Sequence, residues 1–211
     1  DIIQAVEEAG LAIEDVVAAP IAASLVTLSK SQKIAGCILA NIGSQTTSIA
    51  VFENSAPASL EVFPIGSTDI TNDIALGLKV PLEEAEQIKI GAITGSSYPR
   101  KKLEEIISAR LSDIFELIEA HLKKIGRNGL LPAGIVLIGG GSGLSNIEEM
   151  AKTALRLPAR LGASKDSVWV TAYGLCVLGT QADEDVPIDT STLFLAKAGK
   201  AVVNLIKQFL P

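Results

Sequence analysis

Residues 34–53 limit the fold more than any other part of the chain. Residues 34–42 form an aliphatic run bounded by Gly36 and Gly43, after a polar turn at 29–33. Residues 46–53 (TTSIAVFE) alternate and are rich in β-formers. A turn at 54–57 leads to a third strand at 59–65, so the segment reads as an antiparallel meander. Helices follow at 68–78, 81–90 and 103–125, the last with Leu103, Ile106, Ile107, Leu111, Ile114, Leu117, Ile118 and Leu122 on one stripe. A buried strand at 134–138, a helix at 146–155, a short strand at 159–161 and an apolar helix at 168–180 complete the body. Upstream, residues 1–17 predict a short helix stopped at Gly10, and Pro20 opens a helix over 19–29. This order predicts an α/β fold, a mixed sheet with helices on its faces and a helical insertion after the third strand.

Composition narrows the function classes. Lys and Arg number 18 against 24 acids, a net charge of −6, which argues against a nucleic-acid partner. Cys37 and Cys176 lie in apolar runs and read as small buried hydrophobes, with no disulfide framework or metal-ligand spacing. With His121 the single histidine, His-dependent metal sites and Ser-His triads are disfavoured. The mean hydropathy of +0.39 is high, but no stretch is long and uninterrupted enough to span a bilayer. The chain starts at Asp1 rather than Met, inside a helical pattern, and is expected to be part of a longer protein.

Three motifs carry chemistry, each with a plainer alternative. Asn41-Ile42-Gly43-Ser44-Gln45-Thr46-Thr47, at a strand end, offers amide and hydroxyl donors to a phosphate, or is simply a β-hairpin turn. Gly139-Gly140-Gly141-Ser142-Gly143 lets backbone approach a ligand, or is a tight strand-to-helix turn. It is not GxGxxG, has no surrounding βαβ unit and is not followed by GK[ST], so neither a Rossmann site nor a P-loop is expected. Glu86 and Lys89 are helical neighbours, and taken alone an ordinary surface pair is the better explanation.

From Gln181 the composition changes. Residues 181–192 (QADEDVPIDTST) read as an acidic linker. In residues 193–211, at about 100° per residue, Phe194, Leu195, Val202, Ile206, Phe209 and Leu210 share one face, with Lys197, Lys200 and Lys207 on the other. An acid-free polar face opposite an aliphatic face describes a helix lying on anionic lipid. The alternative is a last helix docked on the core.

Taken in order, NIGSQTT, PIGSTDITNDIALGLKVPLEEAEQIK, IISARLSDIFELI, GIVLIGGGSGL and TAYGLCVLG resemble the C-terminal half of the FtsA family of bacterial cell-division proteins. That family belongs to the actin and sugar-kinase superfamily. The resemblance spans essentially the whole chain. It implies half of an actin-like ATPase fold with a ribonuclease H-like core at 33–65 and 132–180. Residues 1–32 would close the preceding subdomain, 66–131 would be an inserted helical subdomain, 181–192 a linker and 193–211 a membrane-targeting amphipathic helix.

The resemblance also implies roles. Asn41, Gly43, Ser44, Gln45, Thr46 and Thr47 would form the second phosphate loop. Glu86 and Lys89 would flank the nucleoside, and Gly139, Gly140, Gly141 and Ser142 the adenosine. Lys102, Arg110 and Asp113 would dock the C-terminal tail of FtsZ, or are just the solvated side of an amphipathic helix. Further expected partners are anionic inner-membrane lipids, a second copy of the protein in protofilaments, and its own N-terminal half, at the cytoplasmic face of the membrane. ATP or ADP with Mg²⁺ would need that N-terminal half. The family tends to read DIGGGTTD where this chain reads NIGSQTTS, so the carboxylate expected to organise Mg²⁺ is Asn41 here. Catalytic residues are therefore not assigned. The expected role is an adaptor tethering FtsZ filaments to the membrane; an active ATPase or sugar kinase, or a PilM-like pilus scaffold, are the alternatives.

Overall fold

The computed structural model describes residues 2–93, 98–162 and 168–182; the proposed membrane helix at 193–211 and most of the acidic linker lie outside them. The meander forms as β1 (Cys37–Ile42), β2 (Thr47–Glu53) and β3 (Ala56–Phe63). The β2–β3 turn is tight because Asn54 and Ser55 both take positive φ, 51° and 69°. That geometry matches the twist of two-residue hairpins, and Asn tolerates it better than most residues. It starts β3 three residues earlier than the sequence reading.

β4 (Ile135–Ile138) and β5 (Ala159–Leu161) complete a five-stranded sheet in the order β3-β2-β1-β4-β5. β1 is antiparallel to β2 and parallel to β4, and β4 is parallel to β5. The fold is therefore mixed α/β, as expected. One expectation is corrected here. β4, the helix α7 (Ile147–Leu155, numbered in chain order below) and parallel β5 form a βαβ unit around the glycine-rich turn. β5 has only three residues, too few to announce a parallel partner by periodicity.

Helices α1 (Ile2–Glu8), α2 (Ala19–Thr27) and α3 (Lys30–Ala35) precede the sheet. α3 replaces the predicted polar turn. Ser29 accepts from the Gln32 amide while the Gln32 side chain accepts from the Ser29 amide, a reciprocal cap that turns a polar stretch into a helix start. α4 (Ser67–Leu78), α5 (Leu82–Lys89) and α6 (Arg100–Lys124) separate β3 from β4, and α8 (Val170–Ala182) closes the described chain.

Both sheet faces are covered, which is why β1 reads as an aliphatic run broken only by Asn41. Ile38, Ala40, Ile42, Ile49, Val51, Ile135 and Leu137 share a core with α4, α5, α6 and α7. Cys37, Leu39, Ala50, Phe52, Val136 and Ile138 face Ala23 of α2 and Val170 of α8. On α6 the buried stripe includes Phe115, while Leu117 is partly exposed and leaves the expected set. Cys37 is buried as read, but Cys176 is exposed. α8 is apolar on most sides, so composition gives no sign of which face turns outward.

His121, near the end of α6, is buried against β3 with Phe63 edge-on. Its Nε2 lies 2.8 Å from Ser59 Oγ and its Nδ1 3.2 Å from Glu61 Oε2. Ser59 and Glu61 are two apart on a strand and so share a face, which is how a lone histidine gains two polar partners.

Candidate functional site

The parallel pair β1 and β4 end side by side, with Asn41 beside Ile138. In open α/β sheets ligands collect outside such carboxyl ends. Here each strand runs into one of the two loops singled out in the sequence.

The first loop turns from β1 into β2. Gly43 N–H donates to Thr46 O at 2.9 Å, closing the turn, and residues 44–46 are exposed. Its carbonyls face α4: Ser67 N–H donates to Gly43 O at 2.9 Å and Thr68 N–H to Ser44 O at 2.8 Å. The Ser44 and Thr68 hydroxyls are 2.8 Å apart, and Thr47 Oγ1 donates to Ile65 O. Gly66 seats the loop. A Cβ there would lie 2.4 Å from Ser44 O, so only glycine permits the approach. The Asp69 carboxylate accepts from Gly66 N–H at 2.8 Å, securing the entry to α4.

The second loop follows β4. Gly139 has φ 88°, and a Cβ would lie 2.4 Å from both Asn41 Oδ1 and Ile42 O. The two loops thus interlock through glycine backbone. Residues 140–143 make a 3-10 turn, closed by Ser142, whose hydroxyl and amide both donate to Gly139 O at 2.7 and 3.0 Å. Ser142 is buried and spends its hydroxyl inside the turn.

Between this turn, α5 and the start of α4 lies an open cleft of ≈ 380 Å³. Glu86, Lys89, Gly140 and Gly141 line it, as do Ser67, Ile90, Gly143 and Leu144. Four of the residues expected to hold a nucleoside therefore meet at one cleft. Asn41, the residues of the first loop, Gly139 and Ser142 do not line it; the loop reaches it through Ser67. The sequence reading omitted Ser67, Ile90 and Leu144 and gave Gly143 no site role. The only signal for them was adjacency, Ser67 beginning α4, Ile90 following Lys89, and Gly143 and Leu144 following Ser142.

Lys89 organises the wall. Its side chain is 7% exposed, and its ammonium contacts Glu86 Oε2 at 2.7 Å, Thr71 Oγ1 at 2.8 Å and Ser67 O at 3.0 Å. Three donors meet three acceptors, so this cation is fully spent within the protein. The Thr71 hydroxyl in turn donates a hydrogen bond to Glu86 Oε2. Burial raises the pKa of Glu86, but hydrogen bonds from Lys89 and Thr71 and the lysine charge outweigh it, and the net shift is downward.

A nucleoside fits this cleft in chemistry and size: glycine backbone on one side, Ile90 and Leu144 as apolar wall, Glu86 at 44% exposure as a polar acceptor. For a divalent cation the described residues offer no ready carboxylate set. Among the described residues no group of three His, Cys, Asp or Glu could hold a metal. Asn41 stands at the strand end, and the nearby carboxylates Asp69 and Glu86 already serve Gly66 and Lys89.

The residues expected to dock a partner lie on α6. Arg110 binds Asp73 of α4 through Nε at 2.7 Å and Nη2 at 3.0 Å, and its Nη1 lies 3.2 Å from Asp113. Hydrogen bonding to Asp73 raises the arginine pKa. The structure thus joins Arg110 and Asp113 and adds Asp73, while Lys102 is exposed and has no ion-pair partner among the described residues.

A family model described as "Cell division protein FtsA" matches residues 38–174, which include both loops and the cleft. The chain belongs to the FtsA family. The FtsA protein of Pseudomonas aeruginosa is 31% identical over 211 aligned residues, covering 85% of this chain and 51% of that protein. FtsA of Bacillus subtilis is 31% identical, with 83% and 46% covered. The chain thus spans about half the length of the curated FtsA relatives it matches. Among solved structures, MreB5 of Spiroplasma citri bound to ADP superposes with a TM-score of 0.73 at 15% identity, over 87% of this chain and 65% of that one. That likeness shows the actin-like fold, the fold class expected for an FtsA C-terminal half. No helix among the described residues is long and apolar enough to cross a membrane.

Proposed function

We propose that this FtsA-family chain is the C-terminal lobe of a cell-division adaptor that links FtsZ filaments to the membrane. The observation that carries the reading is the family match across 38–174. The cleft at the ends of β1 and β4 takes the nucleoside part of ATP or ADP, with an N-terminal lobe closing over it. The α6 face bearing Lys102, Arg110 and Asp113 receives the FtsZ tail. Lys102 and Asp113 are its exposed members, and Arg110 holds α4 behind them. The helix at 193–211 anchors to anionic lipid through its apolar face and Lys197, Lys200 and Lys207, each basic residue contributing about 1 kcal/mol near the surface. Self-association into actin-like protofilaments multiplies these weak contacts. The role is that of a scaffold, with nucleotide as a structural ligand.

Sedimentation with anionic vesicles, with and without FtsZ, tests the reading. Vesicles should carry down the adaptor, and the adaptor should carry down FtsZ. Deleting residues 193–211 should release both, and Lys102→Glu should release FtsZ alone. FtsZ that sediments equally without the adaptor's tail would sink the proposal.

A further inference from the structure

We propose that Lys33 is a nucleophilic amine, the one among the described lysines that small acyl phosphates N-acylate fastest. Nothing in this depends on nucleotide, FtsZ or lipid.

Lys33 lies in α3, whose start is set by the reciprocal cap of Ser29 and Gln32. Its carbonyl accepts from Ser55 N–H at 3.1 Å, which ties α3 to the β2–β3 turn. The half-buried side chain runs back between α2 and β2. Its ammonium donates to Ser24 Oγ at 3.0 Å and lies 5.2 Å from the centre of the Phe52 ring. The Ser24 hydroxyl itself donates to Ile21 O at 2.7 Å, so only its oxygen is offered to the lysine. A hydroxyl oxygen and an aromatic face thus meet the charge, and among the described residues no carboxylate pairs with it. Lys89 is the opposite case: Glu86, Thr71 and Ser67 take all three of its donors and fix the cation. Lys102 is a third case, standing in solvent.

Burial without a counter-charge favours the neutral amine and lowers the pKa of Lys33, with the Cys37 thiol of β1 opposing the shift. The other charged neighbours do not reverse it. Arg160 of β5 reaches Gln32, the residue before Lys33, and brings a second cation. Glu53, the residue after Phe52, is taken by Arg127 at 2.7 Å. Lys30, one turn earlier on α3, is exposed.

A neutral amine still donates to Ser24 Oγ, and its lone pair is claimed by no donor there, because the Ser24 proton is committed to Ile21 O. That lone pair attacks the carbonyl carbon of an acyl phosphate. A C–N bond forms, the C–O bond to phosphate breaks, phosphate leaves with the electron pair, and the displaced amine proton goes to water. The amide product carries no charge, so the attraction to the Phe52 ring is lost.

The test is trace labelling of the folded full-length protein with acetyl phosphate, the rate at each lysine being read by peptide mass spectrometry from neutral to basic pH. At about pH 7.5, Lys33 should be acetylated about five-fold faster than Lys102, and Lys89 should be the slowest of the three. The Lys33 rate should also level off at a lower pH than the Lys102 rate. Ser24→Asp supplies a counter-charge and should bring the Lys33 rate down to that of Lys102 or below. Because Ser24 is buried, the wild-type rates decide alone if that variant does not fold. A wild-type Lys33 rate at or below that of Lys102 overturns the proposal. So does a pH profile matching that of Lys102, or a folded Ser24→Asp protein with an unchanged Lys33 rate.

Discussion

Arg110 holds Asp73 through two parallel hydrogen bonds, 2.7 and 3.0 Å long, that join α6 to α4. Both side chains are more than two-thirds buried, and planar bidentate pairing is among the stronger polar contacts available. Arg110→Ala and Asp73→Ala should each lower stability by about 1–2 kcal/mol, and the double variant by clearly less than their sum. Urea unfolding of the four proteins measures the coupling; strict additivity would show that the pair contributes nothing.

Adjacent glycines in the second loop should behave oppositely. Gly139→Ala places a Cβ against Asn41 and Ile42 at positive φ, and should cost about 2 kcal/mol or more in thermal unfolding. A Cβ at Gly140 meets only Val168, at 3.9 Å. Gly140→Asp should therefore fold normally and project a carboxylate into the cleft. Calorimetric titration with ADP should show binding lost, with the unfolding temperature within a few degrees of wild type.

Glu86 gives the cleft an acid limb. Its folded pKa lies below the unfolded value, so its contribution is complete above the unfolded carboxylate pKa and disappears as pH falls through the folded one. Solvent exposure of the carboxylate keeps this contribution small. Glu86→Gln should flatten stability against pH on the acid side and leave the neutral-to-basic side unchanged in slope. An unaltered acid limb would show that Glu86 and Lys89 are not coupled.

The two cysteines should separate cleanly toward a thiol reagent. Burial pushes the Cys37 thiol up to about 11, with Lys33 and Arg160 opposing weakly, whereas Cys176 is exposed. Ellman titration of the native protein should show one fast thiol, removed by Cys176→Ser, and a second only on unfolding. Two fast thiols would mean that the sheet core opens readily.

Local patterns made most of this architecture readable. The β-formers of residues 46–53 mark β2, although Ile49–Phe52 are buried on both faces rather than alternating, and the spacing of Ile107, Leu111, Ile114 and Ile118 specifies the buried side of α6. What failed was non-local or geometrical. Ser29 and Gln32 look like a turn until their reciprocal hydrogen bonds are counted. Ala159–Leu161 is too short to declare itself parallel to β4. Glu86 and Lys89 stand out in the sequence as a helical pair and Gly140 and Gly141 as part of a glycine run, and the resemblance gives them a nucleoside, yet only folding shows that they share a cleft. Asp73 and Arg110 are 37 residues apart, and no spacing rule pairs them.

The hydrogen bonds at the start of α4 have a mechanical consequence. Ser67 and Thr68 fasten its first turn to the Gly43 and Ser44 carbonyls, and Asp73, in its second turn, is fastened to Arg110. A helix is stiff over so short a span, so the turn at 44–46 and the α6 face are opposite ends of one strut. Displacing that turn leaves α4 two choices: break its own N-terminal bonds, or pull on Arg110.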